Sequence, residues 1–301
     1  MRDVAAVLAR YFGGKISAPV TLMQLLIETE DAEAVRAAVD AAGRDSEKTS
    51  PGSASHRRAR ELSQLLKANA VGCDRIAAML RADVDSAKPA RSVEEGIAFC
   101  ERLFDWSVQQ SEEASVALYS LGNPELLQRA TDEIVTRLRG WGLITGNTDI
   151  LDIGCGIGRV LVALSPYVAT ATGIDVSAEM VKAARRRCAG LTNVTVLKGD
   201  GRGLTGVADA SFDLAIAVDS FPYLRQSGYT LVEQFVAESA RVLRPRGELV
   251  ILNYSYSEDS DADQAEVRSL AAQNGFQVVH VGERPFEIWD AAAFRLRKTE
   301  A

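Results

Sequence analysis

Histidine and cysteine are scarce in this sequence of 301 residues. The two histidines are His56 and His280, and the four cysteines are Cys73, Cys100, Cys155 and Cys188. No two cysteines form a C-x-x-C pair, and their spacing matches neither a structural zinc site nor a disulfide framework. The sequence therefore predicts no metal site, and a reducing, cytoplasmic compartment is expected.

Long apolar runs and an excess of positive charge are also missing. No stretch of about 18 apolar residues occurs, so no contact with a membrane interior is expected. Acidic side chains outnumber basic ones by 41 to 34, which gives a formal net charge of −7. Because a negative protein repels the phosphate backbone, a nucleic-acid partner is not expected either.

The first half of the sequence has the apolar spacing of short helices. Apolar residues from Val35 to Ala42 fall on one face of a helix that Gly43 is expected to end. The next 17 residues, 44–60, are rich in serine and charge and contain the turn-forming pair Pro51-Gly52, which predicts a flexible linker. We therefore predict an N-terminal helical segment at 1–43, the linker at 44–60, and a second helical region at 61–145.

Short apolar segments alternate with helical segments from about Thr148 onward. Strands separated by helices of about ten or more residues are typical of βαβ units and of a doubly wound, mostly parallel sheet. We therefore predict an α/β domain at 146–301, preceded by the helical regions. The seven predicted strands are 150–153, 171–176, 194–197, 214–218, 249–252, 276–281 and 293–297.

A glycine-rich motif follows the first predicted strand. It reads Asp152-Ile153-Gly154-Cys155-Gly156-Ile157-Gly158 and opens a predicted helix. Glycines allow a tight turn there and let the backbone approach a ligand without a Cβ in the way. Asp175 lies 23 positions after Asp152, at the end of the second strand. A carboxylate there can accept hydrogen bonds from both hydroxyls of a ribose. Aspartates also follow the third and fourth strands, at Asp200 and Asp219.

This motif has to be compared with the loop that binds dinucleotides. That loop has the pattern G-x-G-x-x-G/A, with an acid about 20 residues later. In this sequence the third glycine comes one position early, and Arg159 stands where the small residue would be. Asp152 would also repel a pyrophosphate, whereas it would attract an ammonium group. These departures disfavour a dinucleotide. Because a glycine loop and a later acid are common to both kinds of site, a nicotinamide-dependent oxidoreductase is kept as the alternative.

Through these residues the sequence resembles the class I S-adenosylmethionine-dependent methyltransferases, over roughly residues 148–298. The resemblance implies a Rossmann-like, seven-stranded sheet with an antiparallel last strand, and it makes 146–301 the S-adenosylmethionine-binding catalytic domain. It implies that the loop holds the methionine part of the cofactor, Asp175 the ribose, and Asp200 the adenine amino group. The residues that we expect at the cofactor are Asp152, Gly154, Cys155, Gly156, Gly158, Asp175, Val176, Met180, Asp200, Gly201, Asp219 and Tyr119.

Three of these residues need separate comment. Met180 has the spacing of a methionine that rests on the adenine, but it is equally well explained as a core residue of its helix. Cys155 is better explained as a small buried side chain than as a nucleophile. Tyr119 belongs to the helical region that would fold over the cofactor as a lid or recognition surface.

The expected reaction is methyl transfer by in-line displacement to a small-molecule acceptor. Proximity and alignment supply most of the acceleration, and a base is needed only for a neutral hydroxyl or a protonated amine. The candidates for that role follow the fourth and fifth strands: Asp219, Tyr223, Tyr254 and Tyr256.

The sequence after the fourth strand bears on the acceptor. Family members that methylate base or amide nitrogens usually carry Asn/Asp-Pro-Pro-Tyr/Phe there, whereas this chain has Asp219-Ser220-Phe221-Pro222-Tyr223. This departure and the net acidity favour a small molecule with an oxygen, nitrogen or carbon nucleophile. A non-catalytic sensor or scaffold that binds the cofactor is the third alternative. A homodimer through the N-terminal helices would bury their apolar faces.

Overall fold

The computed structural model describes residues 3–49, 51–82, 91–257 and 259–300. None of the helices in these ranges is both long and apolar enough to cross a membrane. The helices are α1 (Val4–Phe12), α2 (Ala18–Thr29), α3 (Ala32–Thr49), α4 (Ala54–Ala68), α5 (Ala70–Arg81), α6 (Val93–Gln110), α7 (Glu112–Val116), α8 (Pro124–Gly140), α9 (Arg159–Leu164), α10 (Ala178–Arg187), α11 (Phe221–Ser227), α12 (Tyr229–Val242) and α13 (Ser260–Gln273). The strands are β1 (Asp149–Ile153), β2 (Thr170–Asp175), β3 (Val194–Lys198), β4 (Phe212–Val218), β5 (Leu243–Leu252), β6 (Phe276–Glu283) and β7 (Ala293–Lys298).

The strands form one sheet in the order β3-β2-β1-β4-β5-β7-β6. Neighbouring strands are parallel except around β7, which runs antiparallel to both β5 and β6. This confirms the predicted doubly wound, mostly parallel sheet with its antiparallel last strand. The strand order reverses beside β1, between β1 and β4, and ligands of open α/β sheets bind at the carboxyl ends of the strands at such a point.

The central strands are buried on both faces. Leu214, Ala215, Ile216 and Ala217 are consecutive residues of β4, and each is at most 1% exposed. Because neighbouring residues of a strand point to opposite faces, this continuous burial requires cover on both sides, as in parallel sheets generally.

Buried charge fixes β7 beside β5. Glu248 of β5 is 4% exposed, and its carboxylate accepts hydrogen bonds from the guanidinium groups of Arg295 and Arg297 of β7. Loss of either partner of the Glu248–Arg295 pair would strongly destabilise the protein, because the remaining charge would be buried and unpaired.

The chain divides into two compact units. The helical unit contains residues 1–84, 107–130 and 286–290, and the sheet unit contains 85–106, 131–285 and 291–301. The helical unit has its own core, in which Val20, Leu22 and Leu25 of α2 are fully buried. The connection between β6 and β7 contributes to it, because the Ser17 hydroxyl donates to the carbonyl oxygen of Ile288 at 2.6 Å.

The segment predicted to be a flexible linker is mostly helical. Helix α3 continues through Gly43 to Thr49, and α4 begins at Ala54, where the Ser53 hydroxyl accepts from the backbone N–H of His56. The sequence was misleading because a single glycine in a helix costs only about 1 kcal/mol. Ala59 is also buried, which the charged surroundings concealed.

The predicted region 61–145 does not form a single lid. Residues 85–106 and 131–145 belong to the sheet unit, whereas 107–130 belong to the helical unit. The apolar faces that suggested a homodimer are also buried inside the helical unit, where Val35 and Leu62 are fully covered. Dimerisation stays a prediction.

Candidate functional site

The glycine-rich motif forms a loop between β1 and α9. Gly154, Gly156 and Gly158 have φ angles of 74°, 52° and 74°, in the left-handed region that disfavours side chains. The backbone N–H groups of Gly154 and Cys155 both donate to the carbonyl oxygen of Ile174, at 2.8 and 3.1 Å. The loop is therefore tied to the end of β2.

Two of the glycines are also required by neighbouring parts of the chain. A Cβ on Gly154 would lie 2.6 Å from the Cβ of Ser220, directly after β4. A Cβ on Gly158 would lie 3.1 Å from the Cβ of Ala184 on α10. Close packing of the loop against β4 and α10 thus explains part of the glycine pattern, apart from any ligand.

Asp152 is the least satisfied polar group near the loop. It is 1% exposed, and within the described residues its Oδ1 atom has no hydrogen-bond partner. Burial raises the pKa of Asp152 to about 7, the charge of Arg159 opposes this rise, and the charge of Asp175 adds to it. A buried carboxylate oxygen without a donor is costly, and a ligand that donates hydrogen bonds would satisfy it.

Asp175 lies at the end of β2 and holds the loop. Its two oxygens accept from the backbone N–H groups of Gly156 and Ser177, each at 2.8 Å. Burial raises the pKa of Asp175, while these two N–H groups counteract the rise. The backbone N–H of Val176 also interacts with this carboxylate. A carboxylate offers about four acceptor positions, so Asp175 retains capacity for a hydroxyl donor.

An apolar surface lies next to Asp175. Gly201 has a φ of +75°, and a Cβ there would lie 2.7 Å from Ile97 of α6 and 2.9 Å from Val176. Asp200 is exposed, and its carboxylate accepts from the backbone N–H of Arg202. Asp200 thus lies at the turn after β3, beside the apolar surface predicted for an adenine.

Met180 and Cys155 are core residues in this structure. Met180 is 1% exposed on α10. The sulfur of Cys155 would lie 2.8 Å from a Cβ on Gly173 of β2, and burial raises the pKa of its thiol well above the ordinary value. These positions favour packing over direct chemistry, and contact of either residue with a cofactor stays a prediction.

A polar cluster follows β4 and β5. The Asp219 carboxylate accepts from the side-chain amide of Asn253 at 2.7 Å and from the Tyr256 hydroxyl. Tyr256 also shares a hydrogen bond with Tyr223, and their rings meet edge to face with centroids 5.8 Å apart. Phe104 packs against the other side of Tyr223 at 4.8 Å. The structure thus brings together Asp219, Tyr223 and Tyr256 from the sequence-based candidates.

Tyr254 and Tyr119 lie elsewhere. The Tyr254 ring is 1% exposed and packs between Phe221 and Phe294, which favours a structural role over the predicted catalytic one. Tyr119 belongs to the helical unit, where it is 2% exposed and stacks on Trp289 at 5.5 Å. The predicted contact of Tyr119 with a cofactor stays a prediction.

Sequence reasoning missed the part of α6 that lies beside the loop. Asp105 accepts hydrogen bonds from the Ser177 hydroxyl at 2.5 Å and from the backbone N–H of Glu179 at 3.0 Å, so it caps α10 from another helix. Gly96 also packs closely on Ser227, where a Cβ would meet the Ser227 Cβ at 2.4 Å. The apolar spacing of α6 predicted a helix, but no local pattern shows which elements a helix contacts.

The fold and the site together define a doubly wound α/β domain with three features at the carboxyl ends of its first strands. A glycine loop follows β1, a buried acid ends β2, and an apolar surface lies beside the end of β3. Residues 151–251 match the family model described as "Methyltransferase domain". Over these residues, the chain is similar to the class I S-adenosylmethionine-dependent methyltransferases.

Curated relatives support this assignment over part of their length. The chain is 30% identical over 158 residues to the putative methyltransferase YqeM of Bacillus subtilis, covering 48% of this chain and 62% of the relative. It is 31% identical over 115 residues to the demethylmenaquinone methyltransferase of Tropheryma whipplei, covering 38% and 44%. The chain therefore spans less than two thirds of either relative.

A solved structure shows the same fold. It is the phosphoethanolamine N-methyltransferase 1 of Haemonchus contortus, in complex with phosphoethanolamine and S-adenosylhomocysteine. The TM-score is 0.54 at 18% sequence identity, and the match covers 70% of this chain and 50% of that one.

Proposed function

We propose that this protein transfers a methyl group from S-adenosylmethionine to a small-molecule acceptor. The observation that carries the proposal is the buried Oδ1 atom of Asp152, which has no hydrogen-bond partner within the described residues and lies just before the glycine loop. An ammonium group would satisfy it, whereas a pyrophosphate would be repelled by it. This argues against the nicotinamide alternative.

The other residues around the loop fit the remaining parts of S-adenosylmethionine. The left-handed glycines form a tight loop whose backbone can hold its amino-acid end, and Asp175 has acceptor capacity for a ribose hydroxyl. Ile97, Val176 and Gly201 offer an apolar surface for its adenine. When bound, S-adenosylmethionine supplies an activated methyl carbon on a positively charged sulfur.

The contribution of the chain is mainly to align the reactants and to exclude water. Asp219 and Tyr256 lie where β4 and β5 end, so they can hydrogen-bond an acceptor beside the loop. Burial next to the Asp219 charge raises the pKa of both Tyr223 and Tyr256, so both hydroxyls stay protonated and can donate at neutral pH. Proximity and orientation can supply most of the acceleration of such a displacement.

The names of relatives support a small-molecule acceptor. They include a demethylmenaquinone methyltransferase and a 2-methyl-6-phytyl-1,4-hydroquinone methyltransferase, whose named substrates are small molecules. An acceptor panel should therefore include quinols, together with amines and alcohols, so that carbon, nitrogen and oxygen nucleophiles are all represented.

Calorimetry with the cofactors tests the proposal directly. We expect binding of S-adenosylmethionine and S-adenosylhomocysteine at pH 8, with no binding of NADH or NADPH. The Asp175→Ala variant should bind about 10- to 100-fold more weakly, on the scale of hydrogen bonds to a charged group. Asp209→Ala is the matched control, because Asp209 pairs with Arg241 on the surface and should leave affinity unchanged.

Transfer of a radiolabelled methyl group to the acceptor panel then tests catalysis. Cofactor binding without turnover on any acceptor would favour the sensor or scaffold alternative. Binding of NADH in place of S-adenosylmethionine would overturn the proposed function.

A further inference from the structure

The strands β4 and β5 end side by side in an unusual backbone conformation. Val218 and Leu252 are the last residues paired in parallel register, and the next residues are Asp219 and Asn253. Both have left-handed backbones, with φ angles of 60° and 70°. Only a few per cent of residues other than glycine adopt this conformation, although aspartate and asparagine tolerate it best.

The backbone of both residues is held by the sheet. The N–H of Asp219 donates to the carbonyl oxygen of Leu252 at 2.9 Å, and the N–H of Asn253 donates to that of Ala292 at 2.8 Å. This anchoring turns the two side chains toward each other, and the Asn253 amide donates to Oδ1 of Asp219 at 2.7 Å. Sparsely populated conformations of this kind cluster at functional sites.

Asp219 is contacted from a second direction by an aromatic group. The Tyr256 hydroxyl donates to its carboxylate and also shares a hydrogen bond with Tyr223. Tyr256 as a whole residue is 52% exposed, whereas its hydroxyl lies buried in the cluster, where burial raises the pKa of the group. A hydrogen-bonded chain thus runs from Asn253 through Asp219 to the two tyrosines.

We propose that Asn253 is a positioning residue that holds the Asp219 carboxylate, in its ionised form, toward the methyl acceptor. This inference rests on the proposed function and deepens it. For a hydroxyl or protonated amine acceptor, Asp219 takes the proton and the acceptor O–H or N–H bond breaks. The electron pair left on the acceptor forms the bond to the methyl carbon, and the electrons of the methyl–sulfur bond stay on sulfur.

The charge on Asp219 depends on its neighbours. A neutral donor such as the Asn253 amide favours the ionised carboxylate, because it bonds more strongly to the charged form. Among the described residues, the titratable groups of this cluster include Tyr223 of α11, Tyr256 after β5 and Cys100 of α6. Burial raises the pKa of each of them, so all three are neutral at pH 7. Loss of the Asn253 amide would therefore not be compensated by any of these three groups.

The Asn253→Gly variant tests the role without adding strain. Glycine adopts a φ of +70° freely, so the backbone can stay while the amide is lost. The full chain, with 13C-labelled aspartate carboxyls and Asp219→Asn used to assign the resonance, reports the titration midpoint of Asp219. We expect this midpoint to rise by about one pH unit in Asn253→Gly, since one hydrogen bond to a charged group is lost.

Asn193→Ala is the matched control. Asn193 is also half-buried, and its amide donates to the carbonyl oxygens of Ser165 and Val168, away from β4 and β5. We expect it to lower stability without moving the Asp219 midpoint. If Asn253→Gly does not fold, Asn253→Ala provides the same reading, because it removes the donor without placing a second charge beside Asp219.

Binding of S-adenosylhomocysteine, measured in parallel by calorimetry, separates the inference from the proposed function. We expect Asn253→Gly to change this affinity less than twofold. A folded variant that binds S-adenosylhomocysteine and keeps the wild-type midpoint would overturn the role of Asn253 alone. A wild-type chain that does not bind S-adenosylhomocysteine would overturn the proposed function, and with it any reaction that Asn253 could serve.

Discussion

The ionised form of Asp152 destabilises the unliganded protein, because its carboxylate is buried. Its pKa is raised by burial to about 7, so the folded protein binds a proton more tightly than the unfolded chain does. Stability therefore falls as the pH rises from the ordinary pKa of an aspartate, about 4, to about 7, and the full cost is present above that. A positively charged ligand group next to Asp152 would remove this loss of stability.

We therefore expect Asp152→Asn to stabilise the unliganded chain at pH 8, by roughly 2–4 kcal/mol, and to have little effect at pH 4. Urea unfolding at both pH values measures the difference. The same variant should weaken binding of S-adenosylhomocysteine at pH 8, because the ammonium group loses its counter-charge. An equal effect on stability at pH 4 and pH 8 would contradict the raised pKa.

Asp149→Asn is a control of opposite sign. Hydrogen bonding from Thr170 lowers the pKa of Asp149, so its charge contributes stability above its unfolded pKa, and this is lost as the pH falls through the folded value. Replacing Asp149 should therefore destabilise the chain at pH 8.

The motif residues could be predicted from the sequence because their chemistry is local. Three glycines and an aspartate at fixed spacing indicate a tight turn, and a short window of sequence contains that pattern. Asn253 could not be found in this way. Its partner Asp219 is 34 positions away, and only the parallel register of β4 and β5 brings the two side chains together.

At the scale of elements, helix α6 is held against α10, α11 and the turn after β3 by specific contacts. Asp105 caps α10, Gly96 packs on Ser227, and Ile97 covers Gly201. These contacts tie one helix to the ends of β2 and β3 and to α11. Helix α6, through Ile97, therefore forms part of the apolar surface that we assign to the adenine.

We expect Asp105→Ala to loosen α6 and to cost about 1–2 kcal/mol of stability, as for the loss of a helix cap. Hydrogen exchange should increase across residues 93–106, and S-adenosylhomocysteine should dissociate faster. Asp259→Ala is the matched control, because Asp259 caps its own helix through the N–H of Ala262. The prediction fails if both variants change exchange in α6 equally.

Elements were predicted well where periodicity decided them. The seven strands were found, although β5 begins at Leu243, six residues before the prediction. The segment 44–60 was misjudged because charged and small residues are compatible with both linkers and exposed helices. Which of these forms depends on tertiary burial, such as that of Ala59 and Leu62, and no short window of sequence contains that information.

At the scale of the whole molecule, the helical unit needs distant parts of the chain. Its residues 107–130 and 286–290 include Tyr119, Leu121 and Trp289, which are at most 5% exposed. Within this unit they share a core with helices from residues 1–84. Removal of those helices would leave large apolar side chains without cover.

We therefore expect a fragment of residues 91–301 to associate or to bind the dye ANS, even though it retains every described residue of the sheet unit. Sedimentation and ANS fluorescence of this fragment, compared with the full chain, measure the effect. A monomeric fragment with the low ANS signal of the full chain would contradict the shared core.

The hydrogen bond between Ser17 and Ile288 joins positions 271 residues apart. Because the ribosome releases the chain from its amino end, the first helices are synthesised long before the segment that completes their unit emerges. During most of translation the core of this unit is incomplete. Contacts between residues far apart in the sequence also form slowly. Expression of this protein should therefore depend on chaperones that shield nascent helices.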